Sequence, residues 1–160
     1  METIRPFKED DCPAIEQIVR EIWSMGIDAA LEEQYGLIGG KEWKDWVSKT
    51  ITDFLRATPS QAYVIEADGE TAGFGSYRLN SEKRIGEIQY NGVNPRFRGR
   101  GLGKKLLEHG LTKLKENGIR LAVVSTGLNE GHAPARNMYE KAGFKPVSRN
   151  ITYAMNLENS

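Results

Sequence analysis

A single cysteine, Cys12, and two histidines are all the thiol and imidazole ligands that the 160 residues offer a metal. One cysteine excludes an intrachain disulfide and fits a reducing compartment. Two histidines beside it offer no metal-ligand spacing, so no metal is expected. There is no excess of either charge, since Lys+Arg and Asp+Glu number 22 each. That balance removes the global field that would draw the chain to nucleic acid or to an anionic membrane. No apolar run approaches spanning length, and Met1-Glu2 opens without a secretory apolar region. The expectation is a cytoplasmic protein with no membrane partner, folded as a single domain over residues 1–160. Cys12 follows Asp10-Asp11 and precedes Pro13. Nearby carboxylates disfavour a thiolate, so the cysteine reads as structural.

What is present is an alternation of strand and helix patterns. Thr3–Pro6 reads as an edge strand because of its proline. Asp10 or Asp11 then caps a helix carrying Ile15, Ile18, Val19 and Ile22, which should end near Met25-Gly26. Leu31 and Tyr35 suggest a short helical stretch, broken by Gly39-Gly40. Trp43, Trp46, Val47, Ile51, Phe54 and Leu55 form a helical stripe that reads as core. Residues 62–67 and 71–79 pair as a hairpin across Asp68-Gly69. Residues 84–93 form the next strand, followed by a helix that buries Leu102, Leu106, Leu107, Leu111 and Leu114 and closes at Asn117-Gly118. Residues 121–125 read as a buried parallel strand and 133–142 as a helix ending at Gly143. A hairpin of residues 144–147 and 150–157 around Ser148-Arg149 closes the sheet. The order predicts a mixed α/β (α+β) domain with about seven strands, mostly antiparallel, a central parallel pair and about four helices.

The densest chemistry lies between Ile85 and Asn117, where a strand passes through Arg98-Gly99-Arg100-Gly101-Leu102-Gly103 into a helix. Glycines remove the side chains that would hold a ligand off the main chain. The first amides of a helix lack intrahelical partners, and with the helix dipole they favour an anion. Arg96, Arg98, Arg100, Lys104 and Lys105 add positive charge. Together they describe a cradle for phosphate or pyrophosphate. It is not a P-loop, since GxxxxGK[ST] is absent, and the alternating Gly99, Gly101 and Gly103 do not spell GxGxxG.

The strand before the loop is also informative. Alternation puts Glu87, Gln89 and Asn91 on one side and Ile88 and Tyr90 on the other. Polar side chains on an interior strand point to a cleft. Asn91-Gly92 invites a bulge, which would splay the strand and free a main-chain N–H.

Arg98, Gly101 and Gly103, preceded by Val93-Asn94-Pro95, resemble the acetyl-coenzyme A loop of the GCN5-related N-acetyltransferases. The segment Ala135-Arg136-Asn137-Met138-Tyr139-Glu140-Lys141-Ala142-Gly143-Phe144 resembles that family's A-x-x-x-Y-x-x-x-G-F motif. The resemblance covers essentially the whole chain and implies the acyl-CoA N-acyltransferase fold, with acetyl-CoA as cosubstrate and direct transfer to a primary amine in a ternary complex. It places the pyrophosphate on Arg98, Gly99, Arg100, Gly101, Leu102, Gly103 and Lys104. The pantetheine arm would enter the splay, with the amides of Asn91, Gly92 and Val93 holding the thioester oxygen. Glu87, six residues before Val93, stands where several members place a base. Tyr139 would protonate the departing thiolate, as a phenol can at neutral pH. Many members have Asn seven residues before this tyrosine. Here that residue is His132, so either it or Asn129 would take the pantetheine contact, with Arg136 in the same cofactor-binding segment.

Residues 27–46 would help form the acceptor site. Asp28, Glu32 and Glu33 beside Tyr35, Trp43 and Trp46 could receive a cationic amine, a small molecule in preference to a protein. An open sheet edge near the C-terminal hairpin makes a homodimer an expectation. Two other readings stand beside this one: a non-catalytic acyl-CoA-binding or sensing module on the same fold, and a nucleotide-binding protein using the loop for ATP.

Overall fold

The computed structural model describes residues 1–23 and 26–158. Its elements, in chain order, are β1 (Glu2–Pro6), α1 (Cys12–Ile22), α2 (Ile27–Tyr35), α3 (Trp43–Ala57), β2 (Ala62–Ala67), β3 (Glu70–Asn80), β4 (Ile85–Ile88), β5 (Gly92–Val93), α4 (Leu102–Glu116), β6 (Leu121–Val124) and α5 (Ala133–Lys141). The chain divides into two compact units, residues 1–23 with 48–125, and residues 24–47 with 126–160. α3 begins in the second and ends in the first.

The first unit holds the sheet, in the order β1-β2-β3-β4-β6, with β5 paired to β3 alone. All pairs are antiparallel except β4 with β6, which run parallel from Ile85↔Leu121 to Ile88↔Val124. Asp68 and Gly69 both have positive φ, at 54° and 79°, the backbone a tight two-residue hairpin requires. β1 is an edge strand, as its proline demands.

One face of this sheet carries α1. Ile15, Ile18 and Val19 are at most 1% exposed, as an amphipathic stripe at 3–4-residue spacing should be. Gly92 sets how closely α1 approaches: a Cβ there would lie 2.5 Å from Ile22 Cδ1 and 3.2 Å from the Phe74 ring. The other face carries α4, where Leu102, Leu106, Leu107 and Leu114 are buried. Each such leucine contributes about 2 kcal/mol of apolar transfer. Helix α4 stops at Asn117, with Gly118 at φ +73° beyond it.

Several expectations are corrected. Helix α1 ends at Ile22 with Trp23 as its C-cap; the expected end near Met25 falls on a residue outside those described. Asp11 precedes α1, yet its carboxylate does not cap it. It accepts from the Lys8 N–H at 2.8 Å and pairs with Arg5 at 2.7 Å, which satisfies it at 4% exposure. Residues 27–35, expected only as a short helical stretch, form a true helix, so the described residues hold five helices, in keeping with about four expected. β6 is an edge with Leu121 49% exposed, because it has a partner on one side only. The C-terminal hairpin is absent. Residues 144–156 form no strand, so the sheet has six strands among the described residues, close to the seven or so expected, and Ile151 and Tyr153 are 75% and 84% exposed. Alternation gives such a segment a two-faced pattern, but a strand exists only where a neighbouring ladder accepts its hydrogen bonds.

In the second unit, Gly36 closes α2 with its N–H on Glu32 O at 2.9 Å. A turn at Glu130–His132 leads into α5, and Gly143, at φ +107°, ends that helix.

Candidate active site

The N-terminus of α4 is open. Its cap residue, Gly101, sits at φ +73°, carries no side chain to fold back, and the first turn contains no acid. Its carbonyl already accepts from Lys105 N at 3.1 Å, whereas the amides of Leu102, Gly103 and Lys104 precede the first intrahelical donor. A Cβ on Gly99 or Gly101 would meet nothing within 4 Å. Peptide dipoles and bare N–H groups therefore face unobstructed space, a fit for linked phosphates.

The basic side chains around this point divide into two sets. Arg100 Nη1 lies 2.7 Å from Asp68 Oδ2 and its Nη2 3.4 Å from Glu2 Oε1, while Lys105 pairs with Glu2. Arg96 Nη2 lies 2.8 Å from Glu70 Oε1. Hydrogen bonding to Lys105 holds the Glu2 carboxyl below its ordinary range, and Arg100 does the same for Asp68. Buried Phe97 carries both guanidinium groups, with Arg96 at 5.6 Å and Arg100 at 5.4 Å from its ring. In contrast, Arg98 has no carboxylate within 4 Å among the described residues, and Lys104 has only Glu108 at 3.8 Å, one turn along its own helix.

The chain turns into the loop at buried Asn94, whose side chain accepts from Arg96 N at 3.0 Å while its own N–H donates to Ala72 O at 2.8 Å. The Asn-Pro step was legible in the sequence; the capping role was not singled out there.

The strand before the loop is broken rather than merely bent. β4 pairs with β3 up to Tyr77↔Ile88, and β5 resumes at Phe74↔Gly92. Between them Gly75 and Ser76 face three residues, Gln89, Tyr90 and Asn91, so the expected bulge is present with one extra residue. Gln89 N donates to Ser76 O at 2.9 Å, and the Ser76 hydroxyl donates to Tyr90 O at 2.8 Å. Among the described residues no main-chain carbonyl accepts from the N–H of Tyr90 or Asn91. The parallel pairing of β4 with β6 stops at Ile88, and β5 departs with β3, which opens the splay.

The extra residue also reverses one expected side chain. On an unbroken strand Tyr90 would share the α4 face with Ile88. Instead its ring meets Phe54 of α3 edge-on at 5.3 Å and Trp23 at 6.2 Å. Glu87 remains on β4, half-buried, directly across from Arg78.

The other expected residues lie in the second unit. Tyr139 is 8% exposed and packs edge-on against Phe144 at 5.8 Å. Arg136 donates to Gly127 O at 2.7 Å and Asn129 O at 2.8 Å, tying the loop to α5. Asn129 and His132, expected as alternatives, bond to each other through Oδ1 and Nδ1. Burial, then the neighbouring Arg136 charge, holds the His132 pKa below its usual value.

Within residues 27–46, Glu32 and Trp46 are engaged in structural contacts. Glu32 Oε2 accepts from Trp43 N at 2.5 Å. Trp46 donates its indole N–H to Ile38 O at 2.7 Å and carries Lys41 over its ring.

Among the described residues no group of three or more His, Cys, Asp or Glu could hold a metal, and no helix is long and apolar enough to cross a membrane.

A mixed sheet with a broken strand beside an uncapped helix N-terminus is the arrangement that the resemblance to the acyltransferases implies. A family model described as the acetyltransferase (GNAT) family matches residues 14–144, and the chain belongs to that family. Among curated relatives, the mycothiol acetyltransferase of Streptomyces coelicolor is 33% identical over 95 residues, 59% of this chain and 30% of the relative. That of Propionibacterium freudenreichii is 39% identical over 89 residues, 54% and 28% of the respective lengths. The match thus spans under a third of these relatives. Among solved structures, a GNAT family acetyltransferase from Brucella melitensis in complex with acetyl-CoA superposes with a TM-score of 0.58 at 25% identity, covering 91% of this chain and 84% of that one. The ribosomal-protein-S18-alanine N-acetyltransferase of Escherichia coli shares the fold with a TM-score of 0.68 at 21% identity, covering 92% and 80%.

Proposed function

We propose that the chain is an acetyl-CoA-dependent N-acetyltransferase that acts on a primary amine of a small molecule, and that its 160 residues work as one domain. The single observation that carries the reading is the open α4 N-terminus next to the β4–β5 break. The family match runs through both units, and the Brucella relative's complex with acetyl-CoA supports that cosubstrate. The curated relatives' names support acetyl transfer as the reaction.

Bound acetyl-CoA supplies an activated acyl carbon, which passes from sulfur to the amine nitrogen with a free thiol as coproduct. The amides of Leu102, Gly103 and Lys104, with Arg98 and the Lys104 ammonium, hold the pyrophosphate; Gly99 and Gly101 keep that surface bare. The N–H of Asn91, assisted by its neighbours Gly92 and Val93, holds the carbonyl oxygen. Glu87 accepts the ammonium proton, directly or through water. Tyr139 donates its phenolic proton towards sulfur, and Asn129 or His132 steadies the pantetheine arm.

Calorimetry with CoA, followed by thiol release across an amine panel, tests this reading. CoA binding and amine-dependent thiol release are expected. Absence of CoA binding overturns the proposal; binding without release on any amine leaves only a CoA-binding module.

A further inference from the structure

We propose that the acceptor is an amino acid, its carboxylate held by Arg78 and its apolar side group by Phe54, Tyr90 and Trp23; this rests on the acetyltransferase reading. The residues come together through the β4–β5 break. Without the extra residue Tyr90 would pack beneath α4. With it, Tyr90 turns to the sheet face that also carries Arg78 and Glu87, and meets Phe54 at 5.3 Å and Trp23 at 6.2 Å. All three rings stay partly exposed, so an apolar wall faces outward.

Arg78 stands at the rim of that wall. Its guanidinium carbon lies 5.3 Å from the centre of the Phe54 ring, and the residue is exposed. Among the described residues it has no carboxylate within 4 Å, although Arg96 and Arg100 each have one. A guanidinium set beside an aromatic ring and lacking an anion among the described residues suits a planar carboxylate, which it can take through two parallel N–H···O bonds.

Position supplies the rest. Arg78 and Glu87 are register partners on adjacent antiparallel strands, so their side chains leave the same face with Cα atoms about 5 Å apart. An amine delivered to Glu87 therefore brings its nearest substituents to Arg78. An α-amino acid carries ammonium and carboxylate on one carbon and its side chain on the same centre. Those three groups correspond to Glu87, Arg78 and the aromatic wall. The Arg78 charge also disfavours the ammonium form of the acceptor, which aids loss of its proton.

The test is thiol release from acetyl-CoA with the common amino acids, each beside its amide and its decarboxylated amine, for the parent enzyme and Arg78→Gln. The expected result is a kcat/KM at least tenfold higher for an apolar or aromatic amino acid than for its decarboxylated amine. Arg78→Gln should bring that ratio to within twofold, with the KM for acetyl-CoA unchanged. Equal use of amino acid and amine, or a ratio that survives Arg78→Gln, overturns the inference and leaves the acetyltransferase reading intact. Thiol release with no panel member overturns the inference, and failure to bind CoA by calorimetry overturns the underlying reading as well.

Discussion

Arg100 and Asp68 form an ion pair of 2.7 Å between the loop before α4 and the β2–β3 turn. The pair gives Arg100 a structural partner that Arg98 lacks among the described residues, so the expected phosphate role can be divided between the two by experiment. Arg98→Ala should weaken CoA binding about tenfold or more, the cost of a charge-assisted hydrogen bond. Arg100→Ala should lower affinity less and instead reduce thermal stability, by no more than about 1 kcal/mol because the pair is exposed. Titration calorimetry and thermal unfolding of the two variants separate the roles. Equal losses of affinity would return Arg100 to the phosphate site.

Gly101 invites a substitution that damages the ligand surface more than the fold. A Cβ there meets no protein atom within 4 Å. Its φ of +73° makes any other residue strained by about 1–2 kcal/mol. Gly101→Val should therefore melt a few degrees lower yet lose measurable CoA binding, since its methyls stand over the amides of α4. Retained affinity would mean that phosphates do not approach those amides.

Tyr139→Phe removes one oxygen and keeps the ring against Phe144. Turnover should fall several-fold with CoA affinity little changed, read as a split between kcat and Kd. An unaltered kcat would reduce Tyr139 to packing.

Asp11 gives the acid response a specific origin. Burial pushes its carboxyl up, but Arg5, the Lys8 N–H and Thr71 together hold it below its ordinary 3.8. A depressed carboxyl stabilises fully above its unfolded pKa, and that stabilisation is lost as pH falls through the lower folded value. The parent should thus lose stability below about pH 4. Asp11→Asn should cost about 2 kcal/mol at pH 7 and show a shallower loss on acidification. Parallel denaturant curves from pH 7 to pH 3 would reveal whether the slopes differ.

The Gly/Arg loop and α4 were legible because every determinant is local: glycines, charge and a leucine stripe follow one another within twenty-odd residues. The bulge was half legible. Asn91-Gly92 suggested it, but which way Tyr90 turns depends on Ser76, fourteen positions away. Arg78 carried no signal at all, since its aromatic partner lies on α3. The ion pairs of Arg96 and Arg100 were hidden for the same reason: their carboxylates come from β1, the turn after β2 and β3. At the C-terminus local alternation misled, because strand identity is conferred by a partner and the sequence does not name one.

Ser76 tests whether the break, rather than the side chains around it, is what matters. Its hydroxyl is fully buried and donates to Tyr90 O at 2.8 Å, on the residue that precedes the Asn91 N–H. Ser76→Ala leaves that carbonyl without its donor, at a cost of about 1–3 kcal/mol for an unsatisfied buried group. The strand can relieve the loss by shifting register at Gln89–Asn91, which would move both Tyr90 and the Asn91 amide. Turnover should then fall about tenfold or more, since donors to a developing oxyanion act only when correctly aimed. CoA affinity, set at α4, should stay within about twofold if the two sites are energetically separate. Ser76→Thr keeps the hydroxyl and should recover activity wherever its extra methyl is accommodated. A Ser76→Ala enzyme with normal kcat and reduced stability would show that this hydrogen bond holds the sheet together and does not aim the amide.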